Sequence, residues 1–295
     1  MELRQLKYFI KAAELQNFTE AAGALYITQS TLSQQVKQLE DELGIPLFDR
    51  IAKRVRLTEA GRMFLPYANK TIRDASDGKN ILKDLMSLST GTLNIGVTYG
   101  LTDLLAKAVL NFSKQFPDIH LEIIFGTTQD LLKKLDQSHI DMMLSFSQEE
   151  KPGSYKIERL FSSCLALIVH ANHPLAIKQQ IAFEELKDLS LILPSKGFSI
   201  RNHFDHLLSH HDVDINMQME VNDINMLLQL VDSGNWATIL MESSIFNHPE
   251  LKAVKLAGNS MTRQASITWP IGVYCKKPAL LLAQQLAVYA NNYQS

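Results

Sequence analysis

Thr28-Gln29-Ser30-Thr31-Leu32-Ser33-Gln34-Gln35-Val36-Lys37-Gln38-Leu39-Glu40 is the stretch whose reading decides the fold. Leu32, Val36, Leu39 and Leu43 recur at i, i+4, i+7 and i+11, the period of a helix with one apolar stripe. Thr28 stands where an N-cap belongs, and Gly44 ahead of Pro46 ends the helix. The opposite face carries Gln29, Ser30, Thr31, Ser33, Gln34, Lys37 and Gln38. A merely solvated face more often carries Glu/Lys pairs. Amides and hydroxyls both donate and accept, so this face suits base edges and phosphates in a major groove.

The flanking residues agree. Asn17 to Ile27 reads as a short helix capped by Thr19, with Ala21, Ala22, Gly23 and Ala24 small enough for close approach of a second helix across a tight turn. Leu3, Leu6, Phe9, Ile10 and Ala13 mark a first amphipathic helix that covers this pair. Downstream, Ile45 to Thr58 reads as two short strands around a basic turn, a wing on which Arg50, Lys53, Arg54 and Arg56 grip phosphates. Gln29, Thr31, Ser33 and Gln34 are the candidates for base edges, and Thr28, Ser30 and Lys37 join the wing as candidates for phosphates.

These residues carry a resemblance. Leu6-x-x-Phe9, Phe18-Thr19-x-Ala21-Ala22, Gln29 to Gln35, Leu39-Glu40-x-x-Leu43-Gly44-x-x-Leu47-Phe48-x-Arg50 and Leu57-Thr58-x-Ala60-Gly61 occur in one fixed order. Together they resemble the N-terminal domain of LysR-type transcriptional regulators. Ser30 departs from the proline frequent there, and serine is acceptable in a first helical turn. The resemblance implies a winged helix-turn-helix, a dimerising linker helix, and an effector domain similar to periplasmic binding proteins. It also implies a homotetramer on a long, partly palindromic site and contact with RNA polymerase.

The chain has 295 residues, room for two or three domains. Its 46% hydrophobic and 20% charged residues are ordinary for a globular protein, and a net charge of -2 confines any basic surface to local patches. The N-terminus shows no signal peptide and no apolar run is long enough for a bilayer, so the expected location is the cytoplasm, without a membrane partner. Cys164 and Cys275 lie far apart, unlike the closely spaced pair of redox-sensing LysR members, and read as incidental thiols.

The expected domains are a DNA-binding domain at 1–58, a linker helix at 59–88 and a regulatory domain at 89–295. Ala60, Phe64, Tyr67, Thr71, Ala75, Ile81, Leu85 and Leu88 keep an approximate heptad whose natural cover is a second copy, the alternative being packing on its own chain. Pro66 should bend that helix, and Ser87 to Thr92 reads as a hinge. Next comes a βαβαβ pattern: strand Leu93–Thr98, helix Leu101–Phe116, strand His120–Phe125, helix Thr128–Gln137 and strand Ile140–Ser145. A similar run follows, with strands Cys164–Val169, Leu191–Leu193, Asn216–Val221 and Ala237–Met241 and helices Ile200–Leu208 and Ile224–Ser233. A return strand at Ile267–Tyr274 and a helix from Pro278 to about Tyr289 complete two α/β lobes, at about 92–161 with 268–295 and about 162–267.

Such lobes, joined by crossing segments near Arg159 to Ser163 and near Trp269, leave a cleft at their strand ends. Three junction loops combine hydroxyls with free amides: Thr98-Tyr99-Gly100 with Thr102, Gly126-Thr127-Thr128, and Pro194 to Ser199. The candidate effector contacts are Thr98, Tyr99, Gly100, Thr102, Thr127, Thr128, Ser195 and Phe198, with N-capping by Thr102, Thr128 and Ser199 the competing explanation. Trp236, where the family more often has glycine, reads as core, the alternative being that it narrows the cleft or a dimer surface. His203, His206 and His210 share a helix face at a spacing that can hold a divalent metal, which solvated histidines explain equally simply. No serine-elbow, dinucleotide, Walker, zincin or Cys-x-x-Cys motif is present, so no catalytic residue and no resident cofactor is expected. Two rival readings remain: an α/β ligand-binding or catalytic protein tethered to DNA, and a regulator whose C-terminal half only oligomerises.

Overall fold

The computed structural model describes residues 1–51, 54–86, 91–147, 155–211, 213–258 and 261–293; residues 50, 51, 54, 80, 83–86 and 147 are described by their backbone alone. The chain divides into two compact units, residues 1–86 and 87–295.

In the first unit, helices α1 (Leu3–Leu15), α2 (Phe18–Ala24) and α3 (Gln29–Leu43) precede an antiparallel hairpin, β1 (Phe48–Ile51) and β2 (Arg54–Leu57), and a long helix, α4 (Glu59–Met86). Leu32, Val36 and Leu39 turn the apolar stripe of α3 into a core with Leu6, Phe9 and Phe18, whereas Leu43, the last residue before Gly44 turns the chain at φ 71°, stays exposed. Phe9 is central, its ring 5.4 Å from Phe48 and 5.5 Å from Phe64. The cap of α2 is Asn17 rather than Thr19: its side chain accepts from the Thr19 amide at 2.9 Å and the Glu20 amide at 3.3 Å. Burial of Phe18 fixes that earlier start.

The wing is tied down by residues whose spacing alone does not reveal their task. Glu40 Oε1 accepts from the amides of Leu47 at 2.8 Å and Phe48 at 3.0 Å. The Thr58 hydroxyl donates to the Pro46 carbonyl at 2.8 Å and accepts from the Gly61 amide at 2.9 Å, capping α4. Gly61 is required because a Cβ there would lie 2.1 Å from the Leu47 carbonyl oxygen.

Helix α4 runs unbroken through Pro66. Its expected single seam is two faces. Ala60, Phe64, Ala68 and Ile72, at i+4 steps, pack on the helix-turn-helix core, so Ala60 and Phe64 are covered by their own chain. Met63, Tyr67, Ile81 and Leu82 are exposed. Leu85 is described by its backbone, and Leu88 lies outside the described residues, as does most of the expected hinge; Gly91 and Thr92 already belong to a strand.

That strand, β3 (Gly91–Val97), opens the second unit, followed by α5 (Thr102–Gln115), β4 (Ile119–Phe125), α6 (Thr128–Asp136) and β5 (Met142–Ser147). β3 is parallel to both β4 and β5, the expected βαβαβ. β6 then runs from Tyr155 to His170, far longer than the predicted Cys164–Val169. The return strand, β12, spans Thr262–Pro270 rather than Ile267–Tyr274. These two pair antiparallel from Cys164↔Thr262 to Tyr155↔Pro270 and connect the lobes. They run through the expected crossings near Arg159 to Ser163 and Trp269 and extend beyond them, the ladder holding the polar residues Ser162, Ser163 and Thr262 to Gln264 as strand.

The second lobe contains β7 (Gln180–Ile181), β8 (Ser190–Pro194), α7 (Ser199–His211), β9 (Asn216–Val221), α8 (Ile224–Asp232), β10 (Thr238–Met241) and β11 (Leu251–Leu256). The short parallel pair of β7 with β11 is absent from the sequence reading. Helix α9 (Lys277–Ala290) packs back on the first lobe beside α5. The large sheet has the order β4-β3-β5-β12-β6-β11-β7 with β10 also on β6, and β8 pairs β9 separately. Arg201, buried in α7, donates to Asp205 at 2.8 Å, to Glu220 at 2.7 Å and to the Pro194 carbonyl at 2.9 Å, binding α7 to β8 and β9. Trp236 packs, partly buried, against the core under α8.

Candidate functional site

Helix α3 buries its aliphatic stripe and presents Gln29, Ser30, Thr31, Gln34, Lys37 and Gln38 as exposed side chains, with Ser33 half-buried. Thr28 is the cap: its hydroxyl accepts from the Thr31 amide at 3.2 Å and lies 2.9 Å from the Ser30 hydroxyl and 2.8 Å from that of Thr31. The free amides of this N-terminus point to the face where anions are favoured. In the wing, the strands expected around a basic turn form, with Asp49 opposite Arg56 and Arg50 opposite Val55. Arg56 is exposed, Arg50 and Arg54 are placed by their backbone, and Lys53 lies outside the described residues. Tyr26 belongs to no motif in the sequence. It sits in the turn before α3 at φ 56°, 97% exposed, an unusual position for a bulky aromatic.

The second site is a cavity of about 40 Å³ between the lobes of the regulatory unit. The first lobe supplies Thr98, Tyr99 and Gly100 after β3, Gly126, Thr127 and Thr128 after β4, and Phe146. The second supplies Phe198, Ser199 and Ile200 at the start of α7, with Ile224, Leu240, Met241 and Ser244. Tyr99 closes one side, stacked on Phe125 with ring centres 5.1 Å apart and meeting Phe198 of the other lobe at 5.5 Å. Gly100 is required here, since a Cβ would lie 2.9 Å from the Phe146 ring and 3.2 Å from the Ser244 hydroxyl.

The hydroxyls differ in what they are free to do. Thr127, not Thr128, caps α6: it accepts from the Asp130 amide at 3.2 Å and donates to that carboxylate at 2.7 Å. Thr128 is thereby released, and its buried hydroxyl has no partner; neither has that of Thr98, only 9% exposed. Three other unpartnered hydroxyls, Ser145, Thr238 and Thr268, line neither this cavity nor the one beside it. Thr102 is exposed, donates to the Tyr99 carbonyl at 2.7 Å and lies off the cavity. Ser195 also lies off it, with its amide bound to the Val221 carbonyl at 3.0 Å. Phe146, Ile200, Leu240 and Met241 were missed because an apolar residue facing a cleft looks like core in sequence.

Other candidate chemistry is not assembled. His206 and His210 approach each other at 4.4 Å while His203 lines a different wall, and among the described residues no group of three or more His, Cys, Asp or Glu side chains is placed to hold a metal. Cys164 and Cys275 are free thiols, and burial pushes Cys275 up to about 11. Among the described residues no helix is long and apolar enough to cross a membrane.

A family model described as bacterial regulatory helix-turn-helix protein, lysR family, matches residues 3–62, and one described as LysR substrate binding domain matches residues 87–287. The chain belongs to the LysR family of transcriptional regulators. Among LysR-family relatives, the uncharacterized HTH-type transcriptional regulator YwqM of Bacillus subtilis is 32% identical over 249 residues, covering 83% of this chain and 84% of that one. A full-length OxyR variant from Pseudomonas aeruginosa has the same fold at a TM-score of 0.71, with 24% identity over 98% of both chains. Full-length CbnR, solved in complex with its target DNA, gives a TM-score of 0.62 at 22% identity over 98% of this chain and 100% of that one. As a LysR-family member, the chain carries a helix-turn-helix DNA-binding domain and a two-lobed α/β substrate-binding domain.

Proposed function

We propose that this LysR-family regulator binds specific DNA sites through α3 and the wing, and that a small molecule in the interlobe cleft sets its activity. Gln29, Thr31, Ser33 and Gln34 read base edges; Thr28, Ser30, Lys37, Arg50, Lys53, Arg54 and Arg56 hold phosphates. The exposed apolar residues of α4, Met63, Tyr67, Ile81 and Leu82, are the surface through which two copies pair, and two such pairs make a tetramer. The effector shifts the population between two assemblies that space their DNA-binding domains differently, altering DNA bending and contact with RNA polymerase.

The observation that carries the effector half is the pair of unpartnered hydroxyls, Thr98 and Thr128, in the cavity wall. Buried polar atoms are ordinarily satisfied, and two left open in one cavity support a ligand that satisfies them. A cavity of about 40 Å³ holds only a few atoms, so a larger effector requires the lobes to part around β6 and β12. Thermal unfolding against a library of small metabolites, followed by tryptophan fluorescence, tests this. Both tryptophans, Trp236 and Trp269, lie in the second unit, so a ligand that stabilises it is read directly. A library with no stabilising compound supports a C-terminal half that only oligomerises.

A further inference from the structure

A smaller cavity of about 20 Å³ shares Phe146, Ser199, Ile200 and Met241 with the cleft and is completed by His203 and Arg263. Ser199 and His203 stand one turn apart on α7, on one helix face. Arg263 comes from the crossing strand β12, where its neighbour on β6 is Ser163. The two cavities are adjacent and share a wall: Thr98 and Thr128 line the larger, Arg263 the smaller, and Phe146, Ser199, Ile200 and Met241 line both.

Arg263 is half-buried and lacks the partners that Arg201, the fully buried arginine of this lobe, has: two carboxylates and a carbonyl. The Arg263 guanidinium makes no hydrogen bond or ion pair with a described residue, and among the described residues no carboxylate lines either cavity. Burial is the one influence on its pKa, lowering it with no carboxylate to oppose the shift. It stays cationic regardless. A half-buried cation without a partner costs stability. Its forked N–H donors match two oxygens of a carboxylate, phosphate or sulfate better than any other partner.

We propose that Arg263 is the anion-recognising residue of the effector cleft, and that the effector is a small molecule carrying an oxyanion. The guanidinium grips two oxygens beside Ser199, the apolar body rests against Phe146, Ile200 and Met241, and its other polar end reaches Thr98 and Thr128. This rests on the reading of the cleft as the effector site.

The test uses the full chain, thermal unfolding by tryptophan fluorescence and isothermal titration calorimetry. The probes are sodium acetate, propionate, sulfate and phosphate, with acetamide and propionamide as neutral counterparts, all at one ionic strength set with sodium chloride. At least one oxyanion is expected to bind and raise the melting temperature while the amides do neither; comparison of carboxylates with sulfate and phosphate identifies the group. Arg263→Gln should weaken that probe tenfold or more, and its ligand-free form should melt no lower than wild type, because an unanswered cation has gone. Arg263→Lys should retain part of the affinity.

Failure of all four salts to exceed the chloride control overturns the proposal. So does an Arg263→Gln protein that binds like wild type, or one that melts several degrees lower without ligand and is restored by lysine, since either makes the arginine structural. If Arg263→Gln binds normally while Thr98→Val weakens the same probe tenfold, the cleft keeps its role and only the anion assignment falls. If neither variant changes the binding of a probe that does stabilise the protein, both readings fall.

Discussion

Thr98→Val should stabilise the ligand-free protein and weaken its ligand, two effects of opposite sign from one atom. The Thr98 hydroxyl is buried in the cavity wall and has no partner. The backbone at φ -85°, ψ 147° is extended, which β-branched valine adopts freely, and the amide keeps its 3.0 Å bond to the Leu144 carbonyl. An unsatisfied buried hydroxyl costs about 1–3 kcal/mol, so replacing it with a methyl should raise stability by about 1 kcal/mol after small packing losses. With ligand bound, the variant forfeits a hydrogen bond of about 1 kcal/mol and leaves a ligand atom unsatisfied at about another 1 kcal/mol. Binding should therefore weaken by about 2 kcal/mol, roughly thirtyfold. Urea unfolding by tryptophan fluorescence reads the stability of the second unit alone, and calorimetric titration of a compound that stabilises wild type reads the affinity. A variant that loses ligand-free stability yet binds as wild type would refute the reasoning, because the hydroxyl would then be serving the fold.

Further outcomes are expected. Gln34→Ala should relax preference at particular base pairs by about 1–3 kcal/mol, whereas Arg54→Ala should weaken all sequences alike and flatten the salt dependence; sequence-selective loss for Arg54→Ala with an intact salt slope contradicts the division of roles. Glu40→Ala orphans the amides of buried Leu47 and Phe48 and should cost the first unit about 3 kcal/mol, read as faster hydrogen exchange at those two amides, with unchanged protection counting against it. Leu82→Lys on the exposed face of α4 should shift sedimentation to smaller species; an unchanged assembly moves the pairing surface elsewhere. Burial raises the Cys275 thiol from 9.0 to about 11, so about a hundredfold fewer thiolates exist at pH 8 and iodoacetamide should label it slowly until the protein unfolds. Because the folded pKa is the higher one, its neutral thiol favours the fold below about pH 9, and that contribution is lost as the pH rises toward 11.

The helix-turn-helix and the βα alternation were legible because each rests on local periodicity: Leu32, Val36 and Leu39 do face a core, and β3 to β5 follow the predicted order. Caps were legible to within one or two residues only. Asn17 and Thr19, or Thr127 and Thr128, offer similar acceptors, and which one caps depends on which neighbour is buried. That offset matters in the cleft, since it commits the Thr127 hydroxyl and frees that of Thr128. Periodicity in α4 revealed apolar residues without saying what covers each, so Ala60 and Phe64 were grouped with residues that stay exposed. The crossings near Arg159 to Ser163 and near Trp269 were legible but their extent was not, because Ser162, Ser163 and Thr262 to Gln264 are strand only by virtue of one another. Arg263 had no signal at all: its significance lies in sharing a cavity wall with Ser199, Ile200 and His203 of α7 and in having no carboxylate in that wall among the described residues.

Recognition of DNA by sequence is decided by a footprint on the DNA immediately upstream of the protein's own gene, at several salt concentrations. Protection of a long site with a partly symmetric core is expected, weakening steeply with salt and changing in extent when a cleft ligand is added. Absence of protection at moderate salt, both there and on sites drawn from a random pool, would contradict the assignment of α3 as a recognition helix.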